Sequence, residues 1–260
     1  MSSISSVRAL SQPDRSVSRR LPRAWSNLNR RSLPPGRTPE VGRWLALAVM
    51  LIGPLLGVID FFIANIGINS IRTSLQAGFG EIELVVAGYG LTYAACLITG
   101  GRLGDIYGRK KIFILGLIGF TTTSALCGLA SNAAMLVIWR LLQGCTAAVM
   151  FPQALSFIHV NFSGAAKRLA FSVYGAAIGF GSILGQILGG FLIQADVLHL
   201  GWRPIFLINV PIGIATVVAA WLLLRESQSE TPPRLDPVGT VLLSLALFLF
   251  SLPFMEGRDA

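Results

Sequence analysis

The chain has 260 residues, of which 53% are hydrophobic and 13% charged. That excludes an ordinary soluble domain, in which roughly 25% of residues are charged. Its 21 Lys and Arg against 12 Asp and Glu leave a net charge of +9. A basic balance suits a nucleic acid or a membrane surface, so the location of the charge decides between them. Residues 1–43 hold nine Arg (positions 8, 15, 19, 20, 23, 30, 31, 37 and 43) and two acids, Asp14 and Glu40, for a charge of +7. The remaining 217 residues carry only +2. The basicity belongs to a tail on a nearly neutral, apolar body, and no nucleic-acid partner is needed to explain it.

The tail comes first in chain order. With nine Ser, nine Arg and five Pro over residues 1–43, it is expected to be disordered. It lacks the apolar segment of a signal peptide. Its Arg- and Ser-rich, acid-poor composition resembles an organelle transit peptide, but the favoured reading is a cytoplasmic extension attracted to anionic lipid.

A hydrocarbon core about 30 Å thick requires roughly 20 mostly apolar helical residues. Seven stretches qualify: about 44–68, 83–101, 112–130, 133–154, 169–194, 204–224 and 238–255. Soluble amphipathic helices would carry a polar reverse face, yet Ile112–Ala130 and Leu169–Ile193 contain no charged residue. The alternation of a membrane barrel strand is absent. The fold class is therefore all-α and membrane-embedded, with the lipid bilayer as its first partner. Residues 226–237 read as a linker before the seventh span.

Lys and Arg collect on the cytoplasmic side of membrane proteins. With the tail inside, seventeen lie inside, including Arg102, Arg109, Lys110, Lys111, Lys167, Arg168, Arg225 and Arg234. Only Arg72, Arg203 and Arg258 lie outside. The expected topology is a cytoplasmic amino terminus in a multi-pass plasma (inner) membrane protein. On that topology Asn161-Phe-Ser163, a glycosylation pattern, faces the cytoplasm and has no such role.

A charge at mid-membrane costs roughly 2.5–3.5 kcal/mol on insertion scales and is a functional candidate by default. Asp60 lies within span one and Arg140 within span four. Asp60 is titratable and suits a proton carrier. Arg140 keeps its proton and would act as a fixed positive charge that tunes a neighbour or binds an anion. A purely structural ion pair is the alternative. Span two ends in Gly101-Arg-Leu-Gly104-Asp105-Ile-Tyr-Gly108-Arg109-Lys110-Lys111. Gly101 and Gly104 would allow close helix approach, and Gly108 a turn conformation open to glycine. Asp105 would accept from Arg109 or from a helix amino terminus.

In span five, Gly181, Gly185 and Gly189 fall on one helix ridge, a surface for close packing or for sliding between conformations. The cysteines, Cys96, Cys127 and Cys145, all fall inside predicted spans, so no disulfide framework is implied. His159 and His199 read as isolated interfacial residues. No metal-ligand spacing, catalytic triad or phosphate-cradling loop is present, so neither an enzyme nor a cofactor is expected.

At these positions the chain resembles the major facilitator superfamily, and within it the fourteen-span drug:proton antiporters. Gly101–Lys111 is similar to the signature G-x-L-a-D-x-x-G-r-k between spans two and three. Arg140-Leu-Leu-Gln143-Gly144-Cys-Thr-Ala147-Ala148 is similar to the span-four motif R-x-x-q-G-x-g-a-A, whose Arg the resemblance implicates in proton transfer. Ile59–Asn65 resembles the span-one motif L-D-x-T-I-V-N, with Ile59 for Leu, Phe62 for Thr and Ala64 for Val. Trp202-Arg203-Pro204 through Asn209-Val-Pro211-Ile-Gly213 looks like the entry to span six. The span-five motif G-x-x-x-G-P-x-x-G-G is matched at Gly181, Gly185, Gly189 and Gly190, but Gln186 stands where Pro is usual.

The resemblance covers about 44–255. It implies the amino-terminal six-helix bundle of a two-halved transporter plus one further span, driven by a proton gradient and moving small amphipathic compounds. It also implies a missing carboxyl-terminal half, against which the Gly101–Lys111 turn would pack. The alternative is a truncated or split fragment that transports nothing without a partner half. A seven-span receptor is disfavoured because the 101–111 turn has no role in one.

Overall fold

The computed structural model describes residues 40–196, 199–228 and 239. The basic tail up to residue 39, most of the 226–237 linker and the expected seventh span over 238–255 lie outside the described residues.

Seven helices are present among the described residues: α1 (Glu40–Leu75), α2 (Phe79–Tyr107), α3 (Arg109–Gly128), α4 (Ala133–Asn161), α5 (Gly164–Gln194), α6 (Pro204–Leu207) and α7 (Asn209–Leu223). Helices α6 and α7 together form one span interrupted at Ile208, so six segments are long and apolar enough to cross a membrane. Each contains the run of apolar residues expected from the sequence. Helices α1 and α2 extend beyond those runs at both ends, whereas α3 stops at Gly128, two residues short of the expected 130, and α7 at Leu223, one short of 224. The span interrupted at Ile208 is punctuated by Pro204 at the first position of α6 and Pro211 in the first turn of α7. Proline is tolerated there because the first-turn N–H groups need no intrahelical acceptor.

The termini are closed by local chemistry. The Asn132 side chain accepts from the Met135 amide at 2.8 Å and starts α4. Glu81 reaches back to the Gly78 amide at 3.0 Å and starts α2. The first turn of α3 carries no acidic residue and no cap from its own sequence; its partner comes from elsewhere, as described below.

Packing is close between α2 and α4. Pro152 lies within α4 and has no N–H, so the carbonyl of Ala148 lacks its usual donor one turn on. Gly100 of α2 lies against that carbonyl, where a Cβ would collide with the Ala148 oxygen. Gly144 of α4 repeats the arrangement, its missing Cβ leaving room for the Thr92 hydroxyl and the Tyr89 carbonyl. Helix α1 is the most enclosed of the described spans. It packs through Gly53 on Phe113 and Met150, through Gly57 on Phe151 and Tyr89, and through Gly67 on Ile205.

The ridge read in span five exists. Gly181 meets Leu55 and Val58, Gly185 meets the Ile59 backbone and the Phe62 side chain, and Gly189 meets Ile63 and Ile66, all on α1. Gly190 faces open space instead. The opposite side of α5 exposes Phe180, Ile183, Ile187 and Phe191, the apolar surface a lipid-facing helix presents.

Two apolar cores result. One gathers Leu47, Met50, Leu56, Phe113, Leu117, Phe120, Met150 and Phe157. The other gathers Ile63, Ile71, Ile82, Val85, Leu136, Trp202, Ile205 and Phe206. Along α1, α3 and α4 the residues between these two sets include Asp60, Ser124, Arg140 and Gln143.

Gly100→Val is expected to destabilise the bundle by about 1–3 kcal/mol through overpacking, read as a lowered Tm in detergent. Gly175 has nothing near its missing Cβ, so Gly175→Ala should stay within about 0.5 kcal/mol of the parent.

Candidate functional site

The boundary between the two cores is polar. Asp60 on α1 and Arg140 on α4 are both fully buried and form an ion pair, Nη1 to Oδ2, at 2.5 Å. The second carboxylate oxygen, Oδ1, accepts from Gln143 Nε2 at 2.9 Å and from Asn209 Nδ2 at 2.8 Å. Arg140 also donates from Nη1 to Gln143 Oε1 at 2.8 Å and from Nε to the Val85 carbonyl at 3.0 Å. Asn209 reaches Ser124 Oγ at 2.9 Å, and Ser124 donates to the Phe206 carbonyl at 2.9 Å. The Cys127 thiol faces Gln143 Oε1 at 3.5 Å. The Arg140 guanidinium lies over the Tyr89 ring at 4.4 Å and near the Phe206 ring at 5.5 Å, which adds cation–π attraction in a desolvated place.

A buried ion pair is tolerable only when further hydrogen bonds satisfy both partners. Here the carboxylate is fully satisfied. Arg140 Nη2 and Asn209 Oδ1 are buried without a hydrogen-bond partner among the described residues.

Tyr89 links this cluster to a cavity. Its hydroxyl donates to the Gly57 carbonyl at 3.2 Å, and one side of its ring faces Arg140. It also lines an apolar cavity of about 320 Å³ with Phe61, Phe62, Tyr93 and Phe151. The cavity and the ion pair thus share one aromatic wall.

A second polar constellation forms at the α2–α3 turn. Asp105 accepts from Arg109 Nη2 at 2.7 Å, one helical turn on. Of the two partners the sequence leaves open for Asp105, the structure provides Arg109. Gly108 takes φ +108°, a glycine conformation as expected, and a Cβ there would strike the Glu226 carboxylate. Glu226, just beyond α7, accepts from the Lys110 amide at 3.0 Å and from the Lys111 amide at 3.1 Å. The Ser227 carbonyl accepts from the Arg109 amide at 3.0 Å. In return Lys110 Nζ donates to the Trp221 and Leu224 carbonyls, each at 2.7 Å, at the end of α7. Each helix terminus receives the charge that its dipole favours: a carboxylate at the start of α3 and an ammonium at the end of α7.

The structure corrects two sequence readings here, those of Gly101 and His199. Close approach in the 101–111 motif depends on Gly104, whose Cβ would collide with Gln153, and on Gly100 rather than Gly101. A Cβ at Gly101 would make only ordinary contact, 3.5 Å, with Pro152. His199 is not isolated. Its Nδ1 lies 3.1 Å from Asp196 Oδ2 in a turn where Asp196 Oδ1 accepts the Gly201 amide at 2.9 Å. That amide, then His199, holds the Asp196 carboxyl below its usual range. Gln186 is exposed on α5, bonded to its own helix at the Ser182 carbonyl, and takes no part in the buried cluster.

Gln143 and Asn209 complete the site, although their residue type alone did not single them out. The available signal was position: each falls inside a motif, three residues after Arg140 and two before Pro211, where an amide within an apolar span needs a partner. Ser124, Tyr89 and Glu226 carry no comparable mark.

Residues 50–255 match the family model described as the Major Facilitator Superfamily. The chain is 42% identical over 224 residues to the probable actinorhodin transporter of Streptomyces coelicolor, a match covering 86% of this chain and 39% of that protein. It is 36% identical over 206 residues to the tetracenomycin C resistance and export protein of Streptomyces glaucescens, covering 79% and 38% respectively. Its fold is similar to that of a bacterial homolog of the human lysosomal transporter Spinster, in the inward-facing and unoccupied conformation. There the TM-score is 0.65 at 21% identity, covering 77% of this chain and 47% of the other. The chain spans less than half the length of these relatives.

Removing one partner of the pair leaves the other charge buried and uncompensated. Arg140→Gln should therefore cost about 3–5 kcal/mol, and the double substitution D60N/R140Q should recover much of that loss. Thermal unfolding followed by labelling of buried Cys127 measures both. Glu226→Ala should cost about 1 kcal/mol by uncapping α3, with Glu226→Gln retaining part of the bonding; the same assay reads it.

Proposed function

The chain belongs to the major facilitator superfamily, and from that premise we propose that it forms the amino-terminal half of a proton-coupled exporter of small amphipathic compounds. The observation that carries this reading is the fully buried Asp60–Arg140 pair, which shares the Tyr89 wall with an aromatic, uncharged cavity. The names of the relatives, a transporter of actinorhodin and an export protein for tetracenomycin C, support export of small compounds.

The proposed chemistry follows from the hydrogen bonds. Ionised Asp60 balances Arg140, which stays protonated. A proton arriving at Asp60 Oδ2 removes that balance and converts an acceptor of Arg140 into a competing donor. Arg140 then keeps the Val85 carbonyl, Gln143 and the Tyr89 and Phe206 rings. Such a charge is relieved by moving α4 against α1 or by re-pairing once the proton leaves. Substrate in the cavity touches Tyr89 from the other side, so its arrival bears on the same guanidinium. On the reading of the Lys and Arg distribution as positive-inside, the Gly101–Lys111 turn and the amino terminus face the cytoplasm. There the Asp105–Arg109 and Glu226–Lys110 contacts hold the bundle end together while the span-five glycine ridge allows α5 to shift on α1.

A second reading rests on the span relative to the relatives. On that reading these 260 residues transport nothing alone and act with a complementary half.

In a full-length transporter carrying these residues, Asp60→Asn is expected to abolish substrate-dependent proton flux in proteoliposomes while substrate binding persists. Undiminished flux would refute the role given to Asp60. Transport by the purified 260-residue chain alone would remove the second reading.

A further inference from the structure

Three cysteines in membrane spans imply no disulfide framework by sequence, but the packing of α2 on α4 places two of them together. Cys96 Sγ lies 3.4 Å from Cys145 Sγ, with both thiols free and half-buried. The backbone clamps this proximity from both sides. On α2, Thr92, Cys96 and Gly100 lie one helical turn apart on a single ridge. Thr92 fits the space left by Gly144, and Gly100 lies on the carbonyl of Ala148. Cys145 falls between those two contacts in α4. The two sulfurs therefore sit between two close backbone contacts of the α2–α4 crossing.

A disulfide bond requires the sulfurs to close by roughly 1.4 Å from their 3.4 Å separation. Both cysteines lie within membrane-spanning helices, Phe79–Tyr107 and Ala133–Asn161, where a lipid-soluble oxidant partitions.

We propose that Cys96 and Cys145 form a reversible disulfide, oxidised by a lipid-soluble quinone. Two S–H bonds break and one S–S bond forms. The two electrons and two protons pass to the quinone, which leaves as the hydroquinone. The bond ties α2 to α4 beside the residues that hold Arg140, since Val85 and Tyr89 lie on α2 and Arg140 itself on α4. Cys127 is fully buried on α3 and serves as the internal reference.

The test uses the 260-residue chain in phosphatidylcholine–phosphatidylglycerol vesicles, with duroquinone as oxidant because its fully substituted ring resists thiol addition. After treatment, denaturation and maleimide labelling, intact mass is measured. The expected product is about 2 Da lighter before labelling and takes up one maleimide in place of three. Peptide mapping should join Cys96 to Cys145, and dithiothreitol should restore all three sites. Cys96→Ser and Cys145→Ser should each take up two maleimides with or without quinone. Uptake of three maleimides after quinone treatment overturns the proposal, as do added oxygens, a quinone adduct, a disulfide between chains or one involving Cys127.

Discussion

The fold is organised by one electrostatic constraint: a carboxylate and a guanidinium withdrawn from water into the centre of an apolar bundle. Each alone would carry a desolvation cost of several kcal/mol that their attraction offsets only with good geometry and further hydrogen bonds. Those bonds come from five of the six described spans. Asp60 belongs to α1, Val85 and Tyr89 to α2, Ser124 to α3, Arg140 and Gln143 to α4, and Asn209 to α7. The two apolar cores lie on either side of this cluster along α1, α3 and α4.

The remaining span is held differently. Helix α5 contributes no side chain to the cluster and meets α1 through a glycine ridge, by shape and dispersion alone. A contact of that kind has no directional bond to break. The contrast between five spans joined by a polar cluster and one resting on a smooth seam gives the bundle both a fixed core and a surface suited to displacement. At the α2–α3 turn the reciprocal capping by Glu226 and Lys110 is again directional, and it joins the third span to the end of the sixth. Sequence distance is no obstacle, because each group satisfies a helix terminus that has no partner of its own.

How much of this was legible can be argued residue by residue. Asp60 and Arg140 stood out because a charge in an apolar run must have a reason, and that reason is independent of context. The Gly181, Gly185 and Gly189 ridge was legible from helical periodicity alone. Gly101 was read in place of its neighbour Gly100 because a pair of adjacent glycines does not reveal which one faces the partner helix; the rotation of α2 against α4 decides that. Glu226 was invisible because a single acid after a span looks like any solvated charge until the α3 terminus is placed beside it. Cys96 and Cys145 are 49 residues apart, and nothing in their spacing indicates contact.

The sequence by itself determined the class: apolar runs of bilayer length, the distribution of Lys and Arg, and the motifs that mark a superfamily transporter half. These are one-dimensional properties, since hydrophobic length and charge placement act on each segment separately. Only the tertiary structure decided which polar atoms meet: Asn209 and Gln143 on the Asp60 carboxylate, Tyr89 between Arg140 and the cavity, and Glu226 on the start of α3. Such meetings depend on helix rotation and crossing, which close packing across the whole bundle sets at once.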